Sequence, residues 1–352
     1  MPQPIEADTM RILFSSHVFA PSIGGLETVS QLLAEEFVRQ GHEVHLITQT
    51  RGRGEDGHTF TVQRRPSATE LLTQVRWCDV YFHNNISLPR AWPLLFVRRP
   101  WVVAHHVWIP QGPAGRLKRI ALRFATGISV SSAIARHLST PSRIIPNPYD
   151  DATFRELPQT PKTRDLVFLG RLVSDKGVGM LVEALGRLRA RGLTPSVTII
   201  GAGPEEATLR ARIAALGLGS VVTFAGVRRG HDLVELLNAH RMMVIPSLWQ
   251  EPFGIVALEG MACGCVPVGS EGGGLQEAMG EAGATFPNGD ADALSELLEV
   301  LLRDPERQAR LRSHAKEHLR RHTRASVARE YLGVLASALE GSGYGRARAR
   351  GL

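Results

Sequence analysis

The sequence lacks the features that mark membrane-spanning, secreted and disulfide-bonded proteins. No apolar run in it reaches the roughly 18 to 20 residues that a membrane-spanning helix needs. The opening residues, MPQPIEADTM, contain neither the basic nor the apolar segment of a secretion signal. The cysteines, Cys78, Cys263 and Cys265, are too few and wrongly spaced for a disulfide framework or a Cys-x-x-Cys metal site. We therefore expect a cytoplasmic protein with buried, reduced thiols.

Acidic residues are absent from one long segment. Residues 80–149 contain no Asp or Glu, and such a one-sign surface attracts a phosphate-bearing substrate, a membrane headgroup or nucleic acid. No nucleic-acid-binding module is recognisable, so nucleic acid is not an expected partner. The basic residues of this segment are Arg90, Arg98, Arg99, Arg116, Lys118, Arg119, Arg123, Arg136 and Arg143.

Motifs of other enzyme classes are missing as well. The loop SSHVFAPSIGG lacks the Gly-x-Gly-x-x-Gly of dinucleotide-binding enzymes, and no acidic residue ends the second predicted strand. No Asp-x-Asp motif follows one of the predicted strands. A metal cluster at His17 and His83 is not expected, although both lie at predicted strand ends. A dinucleotide-dependent oxidoreductase is therefore not expected either.

Short apolar runs alternate with helical stretches along the chain, which is typical of parallel sheets covered by helices. The sequence predicts an α/β protein with two Rossmann-like, doubly wound domains, whose facing cleft would bind ligands at the carboxyl ends of strands. A first helix is predicted at 26–40, ending at Gly41. The predicted strands are 11–16, 45–48, 79–82, 101–104 and 128–131, then 166–169, 197–200, 221–224, 242–245 and 266–268.

A proline-rich turn segment, IPNPYDDATF at residues 145–154, precedes a fresh strand and marks the predicted domain boundary. We expect an N-terminal acceptor-binding domain at 10–147 and a C-terminal donor-binding domain at 148–325. A helix is expected at 326–340, followed by a disordered Gly/Arg-rich tail at 341–352.

Two motifs of the second half carry candidate chemistry. In GRLVSDKG, Arg171 and Lys176 follow a strand and precede a helix start, an arrangement that suits a diphosphate, although a solvated turn remains an alternative. In EPFGIVALE, Glu251 and Glu259 would lie about 80° apart beyond two helical turns, with a rise of about 12 Å, so they would contact different parts of one long ligand. An exposed helical Glu259 is the plainer alternative.

The combination of motifs resembles the retaining glycosyltransferases of family 4, which have the GT-B fold. The resemblance covers roughly residues 10–340, and it implies a C-terminal helix that crosses back to the N-terminal domain. Its carriers are PSIGGLE (21–27), IPNPYD (145–150), GRLVSDKG (170–177), IGAGP (200–204), PSLWQEPFGIVALE (246–259) and GGLQEAM (273–279). The linker departs from the usual Pro-Asn-Gly-Val-Asp, since Pro148 stiffens the place where the domains hinge.

The resemblance implies a role for each donor-site residue. Arg171 and Lys176 would hold the diphosphate and stabilise the leaving nucleotide, Glu251 would bind a sugar hydroxyl and Glu259 the ribose hydroxyls. Gly254 would let backbone N–H groups approach the donor closely. The remaining donor-binding residues would be Gly24 and Gly25, in the loop after the first strand, with Phe253 and Ile255.

His106, in VVAHHVW, matches the histidine that the family places beside the reacting sugar. His105 is its nearest rival, and a core histidine is the plainer interpretation. With Arg171, Lys176 and Glu251, His106 completes the expected catalytic set.

The resemblance implies a metal-independent, retaining hexosyltransferase without a cofactor. A UDP- or GDP-sugar would donate to a hydroxyl of a glycan, lipid-linked or natural-product acceptor. Alternatives are a sugar-nucleotide epimerase or a phosphorylase on the same fold, or a non-catalytic module that binds nucleotide sugars. The helix carrying Arg116, Lys118, Arg119 and Arg123 would either rest on an anionic membrane, placing the protein at the inner membrane face, or be a solvated face.

Overall fold

The computed structural model describes residues 9–22, 24–52 and 57–342, so the predicted tail lies outside the described residues from 343 onward. The chain divides into two compact units: unit 1 is Met1–Pro148 with Arg324–Leu352, and unit 2 is Tyr149–Thr323. The domain boundaries predicted from the sequence lie between residues 147 and 148 and between residues 325 and 326. Among the described helices, none is long and apolar enough to cross a membrane.

The described part of unit 1 contains a seven-stranded sheet with the order β3-β2-β1-β4-β5-β6-β7, and its paired strands are parallel. The strands are β1 (Arg11–Ser16), β2 (Glu43–Thr48), β3 (Thr61–Arg64), β4 (Val80–Asn84), β5 (Trp101–His105), β6 (Thr126–Ser129) and β7 (Ser142–Ile144).

The helices of unit 1 bury apolar stripes against this sheet. In α1, Val29, Leu33 and Phe37 recur at helical spacing and are fully buried, and Gly41 follows the helix with a φ of 92°. Ser67 caps α2 in a reciprocal capping box with Glu70. The helices in chain order are α1 (Gly25–Arg39), α2 (Ala68–Trp77), α3 (Leu88–Ala91), α4 (Pro113–Ala121) and α5 (Ser132–His137).

Unit 2 repeats this architecture with a six-stranded parallel sheet over its described residues, in the order β10-β9-β8-β11-β12-β13. Its core joins strand residues such as Leu166 and Val244 to helix residues such as Leu181 and Leu298. The elements are β8 (Arg164–Leu169), α6 (Val178–Ala190), β9 (Val197–Ile200), α7 (Glu206–Ala215), β10 (Val222–Gly226), α8 (Gly230–Asn238), β11 (His240–Ile245), α9 (Ile255–Ala262), β12 (Val266–Ser270), α10 (Leu275–Met279), β13 (Ala284–Phe286), α11 (Ala291–Arg303) and α12 (Pro305–Arg321).

The last helix, α13 (Arg324–Gly341), belongs to unit 1 and packs on α1, β4 and β5. The chain therefore returns to its first unit, as predicted. Cys78, Cys263 and Cys265 are buried free thiols, which confirms the prediction for the cysteines.

Several strand predictions were wrong in detail. The structure adds β3, β7 and β13, and all three are edge strands with many partly exposed residues. The strand predicted at 128–131 begins and ends two residues earlier, because Ser131 is the N-cap of α5. Val130 and Ser131 directly follow the strand in sequence, but they lead into α5 and do not pair in the sheet.

Candidate active site

The strand order of unit 2 places β8 beside β11, and the connections from these two strands leave toward opposite edges of the sheet. Open α/β sheets bind ligands at such a point, beyond the carboxyl ends of the strands. The motif at 170–177 follows β8, and the motif at 246–259 follows β11. Both predicted donor motifs therefore start at the same place in the sheet.

The loop after β8 is packed closely against the residues that follow β11. Gly177 has a φ of 68°, and a Cβ there would lie 1.8 Å from the carbonyl oxygen of Pro246. The N–H of Leu248 donates to the carbonyl oxygen of Asp175 at 2.9 Å. Only glycine tolerates this approach. Lys176, the residue before Gly177, lies beside Glu251.

Lys176 and Glu251 form an ion pair in which Nζ lies 2.5 Å from Oε1. The hydroxyl of Ser247 donates to the same carboxylate oxygen at 2.7 Å, and the hydroxyl of Ser270 donates to the carbonyl oxygen of Ser247 at 2.8 Å. Such charge-assisted hydrogen bonds are stronger than neutral ones. They fix a cation and a carboxylate side by side, both still partly open to ligand.

Arg171 is the second predicted cation of this loop. Its side chain is exposed and makes no hydrogen bond or ion pair with the described residues. A guanidinium in this state is available to a planar or tetrahedral oxyanion. The structure thus places both predicted cations after β8 but pairs only Lys176.

The geometric argument from EPFGIVALE was wrong in its premise. Glu251 is not helical: its backbone forms an isolated bridge with Gly273, and α9 begins only at Ile255. Gly254, with a φ of 110°, is the N-cap residue and packs on Leu275. The helix start leaves backbone N–H groups without intrahelical partners, as the donor interpretation requires. The angle calculated along a continuous helix therefore does not apply.

Glu259 lies in the second turn of α9, and its carboxylate has no hydrogen bond or ion pair among the described residues. Burial raises its pKa to about 7, and the nearby Asp150 carboxylate adds to the increase. The Phe253 side chain is buried beside the ring of His322, so only its backbone remains for a ligand. The two glutamates thus differ in environment, and their contacts with different parts of one ligand stay a prediction.

In unit 1 the glycine pair lies after β1, where the order β1-β4 again reverses direction. Gly24 caps α1 with an extended backbone, while Gly25 is the first residue of that helix rather than part of the loop. The carboxylate of Glu27 occupies the space where a Gly24 Cβ would stand. PSIGGLE includes residue 23, which lies outside the described residues.

His106 follows β5 and is buried, and burial lowers its pKa to about 3. Its backbone N–H donates to Oδ1 of Asn85 at 2.8 Å, and the side chain of Asn147 lies beside its ring. The pKa of His105 is also lowered by burial, to about 4, and that of His83 to about 3. These imidazoles are therefore neutral near pH 7. In the described part of the chain, no group of three His, Cys, Asp or Glu side chains could hold a metal.

The four basic residues of the predicted surface helix do not share one environment. Arg116 and Arg123 are exposed, and Lys118 is partly exposed. Arg119 turns back on the protein, where its guanidinium approaches the carbonyl oxygens of Ile109 and Pro110 and the ring of His137.

Comparison with known proteins identifies the unit that carries the Lys176–Glu251 pair. The family model for glycosyl transferases group 1 matches residues 150–318. Residues 150–318 form a group 1 glycosyltransferase domain. This range coincides closely with unit 2.

Curated relatives share this glycosyltransferase domain. A D-inositol 3-phosphate glycosyltransferase of Stackebrandtia nassauensis is 34% identical over 186 residues, 50% of this chain and 42% of the relative. A GDP-mannose-dependent alpha-(1-6)-phosphatidylinositol monomannoside mannosyltransferase of Mycolicibacterium smegmatis is 34% identical over 201 residues, 53% of this chain and 52% of the relative. The chain thus spans about half the length of these relatives.

Solved structures match this chain over both units. Anabaena HepE in complex with UDP has a TM-score of 0.81 at 20% identity and covers 93% of this chain and 100% of its own. The sucrose-phosphate synthase of Thermosynechococcus elongatus has a TM-score of 0.76 at 20% identity, covering 95% and 100%. These likenesses confirm the GT-B fold.

Sequence reasoning missed the supporting residues of the glycosyltransferase domain. Ser247 and Ser270 orient Glu251, and Gly273 lies so close that a Cβ would stand 2.0 Å from the Glu251 carbonyl oxygen. In unit 1, Asn85 holds the backbone of His106. Ser247 and Gly273 lie within the motifs quoted above but had no role assigned to them. For Ser270 and Asn85, the position at or just after a strand end is the signal that the sequence offers.

Proposed function

We propose that the protein transfers a sugar from a nucleotide-diphosphate sugar to an acceptor hydroxyl, with retention at the anomeric carbon. The observation that carries this proposal is the Lys176–Glu251 pair at the point where the sheet of unit 2 changes direction. UDP- and GDP-sugars are the proposed donors, because the relatives named above use GDP-mannose or were solved with UDP.

Each donor group has a matching side chain. Arg171 and Lys176 supply positive charge for the diphosphate, and Glu251 accepts a hydrogen bond from a sugar hydroxyl. Glu259 takes the ribose hydroxyls, and the start of α9 offers N–H groups around Gly254. Fixed cations perform the charge stabilisation that a metal would otherwise supply, so we propose that transfer needs no metal ion or cofactor.

In the proposed reaction the acceptor oxygen attacks the anomeric carbon on the face from which the phosphate leaves. The bond from carbon to the phosphate oxygen breaks, the acceptor's proton passes to that oxygen, and the negative charge stays on the nucleotide. Arg171 and Lys176 stabilise this charge, which is the largest contribution expected of the protein. His106, held neutral by burial, donates a hydrogen bond to a sugar hydroxyl.

A thermal-shift panel of UDP-, GDP-, ADP- and dTDP-sugars tests donor binding, because a ligand that binds the native state raises its apparent stability. We expect a shift with at least one donor. No shift with any of the four would contradict the proposal. A donor converted without an acceptor would indicate an epimerase, and binding without any turnover would indicate a non-catalytic module.

Lys176→Ala is expected to lower turnover by roughly 10² to 10³, the cost of one preorganised charge-stabilising group. The matched control is Lys316→Ala, which removes the same charge from an exposed position of α12 and should leave turnover unchanged. Initial rates with the donor found above measure both. Near-normal turnover of Lys176→Ala would remove this residue from the mechanism.

We also propose that α4 and the turn after it contact an anionic membrane, which favours a lipid-linked acceptor over a free glycan or natural product. Leu117, Ile120 and Phe124 recur at helical spacing and are 56%, 55% and 81% exposed. Arg116 and Arg123 flank this apolar stripe. An exposed apolar stripe bordered by cations suits the boundary between headgroups and acyl chains.

Co-sedimentation with phosphatidylcholine vesicles, with and without phosphatidylglycerol, tests this contact. We expect binding that requires the anionic lipid and is lost in the triple variant Leu117→Ser, Ile120→Ser and Phe124→Ser. The control, Val300→Ser with Arg307→Ala on the surface of unit 2, should bind like the wild type. Absence of any lipid dependence would leave α4 as a solvated helix.

A further inference from the structure

Unit 1 contains a cavity of about 380 Å³ that the donor motifs do not explain. It lies beyond the carboxyl ends of four neighbouring strands, because His17 follows β1, Gln49 follows β2, Ser67 follows β3 and Ser87 follows β4. This volume is in the range of small-molecule sites. The cavity therefore has the position and the size of a ligand site in an α/β sheet.

Arg90, on α3, lines this cavity and is only 5% exposed. Its Nη1 and Nη2 are buried and have no hydrogen-bond partner among the described residues. Its backbone is fixed, since the hydroxyl of Tyr81 donates to the Arg90 carbonyl oxygen at 3.0 Å. A buried guanidinium without partners is costly, and a ligand that supplies the missing charge removes that cost.

Among the residues that the structure describes, the surroundings of Arg90 contain cationic or neutral groups and no carboxylate free to serve as its partner. No Asp or Glu lines the cavity, and Glu70, one turn into α2, is already bonded to Ser67. Burial, with a further contribution from the Arg90 charge, lowers the pKa of His83 to about 3. The Ser87 hydroxyl is not used as the cap of α3, so it remains available to a ligand. The positive charge of this site is thus uncompensated within the described residues.

We propose that the cavity binds a phosphate group, with Arg90 as its counter-charge and Ser87 and Gln49 as further hydrogen-bond donors. A tetrahedral phosphate accepts hydrogen bonds from donors that converge from several directions, and the residues at these strand ends do converge. A carboxylate, by contrast, is bound by a single planar guanidinium through two parallel hydrogen bonds. The volume leaves room for the molecule that carries the phosphate. Assigning this molecule as the acceptor rests on the proposed glycosyl transfer, but the phosphate site itself does not.

Titration with inorganic phosphate, followed by thermal shift and calorimetry, tests the site in the full-length chain. The Arg171→Ala background is used because it weakens phosphate binding at the donor site. Phosphate should stabilise Arg171→Ala and also Arg171→Ala with Arg98→Met, which removes an exposed cation of the same segment. With Arg90→Met in that background, the stabilisation should fall to the weak response that Lys176 leaves at the donor site.

A second substitution keeps the test decisive if Arg90→Met does not fold. Arg90→Lys retains the charge but loses the planar fork, so phosphate should bind on the order of tenfold more weakly. The proposal is overturned if phosphate stabilises the Arg90 and Arg98 variants equally, or if millimolar phosphate does not stabilise Arg171→Ala. It is also overturned if acetate stabilises the protein as much as phosphate does.

The source of the phosphate is resolved by two further probes in the same background. Glycerol 3-phosphate represents a soluble phosphate ester, and vesicles of phosphatidylcholine with phosphatidic acid represent a lipid headgroup. Arg90-dependent binding of either one supports the site and names its source. Failure of the nucleotide-sugar panel would leave this result intact, because the phosphate response is read without donor or turnover.

Discussion

Glu251 and Glu259 show how two identical side chains in one motif acquire different surroundings. Glu251 lies beside the ammonium of Lys176 and accepts a hydrogen bond from the hydroxyl of Ser247. Glu259 has no such partner among the described residues, and desolvation, with a further contribution from the Asp150 carboxylate, raises its pKa from 4.5 to about 7. Glu259 therefore changes charge close to neutral pH.

Glu259→Gln is expected to stabilise the protein at pH 8 and to have little effect near pH 4.5. Between these values the unfolded chain loses the Glu259 proton first, while the folded chain retains it up to about pH 7. The neutral carboxyl therefore favours the folded state at low pH, and this contribution is lost as the pH rises through 7. Thermal unfolding from pH 4.5 to 8 measures the difference.

At pH 8, where the Glu259 carboxyl is ionised, the same substitution should weaken donor binding by about tenfold, because a carboxylate is the stronger hydrogen-bond acceptor for ribose hydroxyls. Glu296→Gln, at an exposed position of α11, is the control and should change neither property. A pH-independent difference in melting temperature between Glu259→Gln and the wild type would refute the raised pKa.

At the scale of single residues, the sequence predicts the charged residues of the candidate site but not the residues that position them. Arg171, Lys176 and Glu251 are recognisable because charged side chains directly follow buried strands and belong to a familiar motif order. Ser270 and Asn85 are single polar residues at strand ends, and nothing in the sequence distinguishes them from solvated turn residues. Arg90 appeared only as one cation of a basic segment, since burial without a partner is a property of the fold.

At the scale of elements, the loop between β8 and α6 depends on one close approach. Gly177 meets the carbonyl oxygen of Pro246 and has a positive φ, so its substitution strains both the backbone and the contact. Gly179, two residues further into α6, has no atom within 4 Å of an added Cβ. Gly177 is the N-cap of α6 and Gly179 lies in its first turn, so the same substitution can be compared at a crowded and an open position.

Gly177→Ala should destabilise unit 2 by about 1 to 3 kcal/mol and weaken nucleotide binding, because Lys176 moves with the loop. Gly179→Ala should stabilise it by about 0.4 to 1 kcal/mol, since alanine restricts the unfolded chain without a clash. Urea unfolding and nucleotide-sugar titration measure both effects. Equal effects of the two substitutions would show that the approach to Pro246 is not needed.

Central strands were predictable and edge strands were not, for a physical reason. A central strand such as β1 is buried along nearly its whole length and gives a continuous apolar run. The edge strands β3 and β7 consist of TVQR and SRI, whose side chains are partly or fully exposed. Short, polar segments of this kind carry no periodic signal, because their pairing is determined by the neighbouring strand.

At the scale of the whole molecule, both units use one plan. The first six strands of unit 1 and the six described strands of unit 2 have the same relative order. His106 follows β5 of unit 1 and Lys176 follows β8 of unit 2, so each lies beyond the carboxyl end of a strand in its own sheet. The apolar face of α13 predicts that this helix is buried, but its spacing alone does not say against which unit. The family resemblance supplied that assignment.

Tyr331→Ala tests whether α13 stabilises unit 1 from the far end of the chain. Tyr331 is fully buried, and its ring meets that of Phe82 edge-on at 5.7 Å between centroids. Its loss should cost unit 1 about 3 to 5 kcal/mol. Calorimetry should then show a lower transition for unit 1, while the transition that responds to nucleotide sugar stays in place. Ser337→Ala, exposed on the same helix, should change stability by less than about 0.5 kcal/mol. A shift of the nucleotide-responsive transition alone would mean that α13 stabilises unit 2 and not unit 1, which would contradict the prediction.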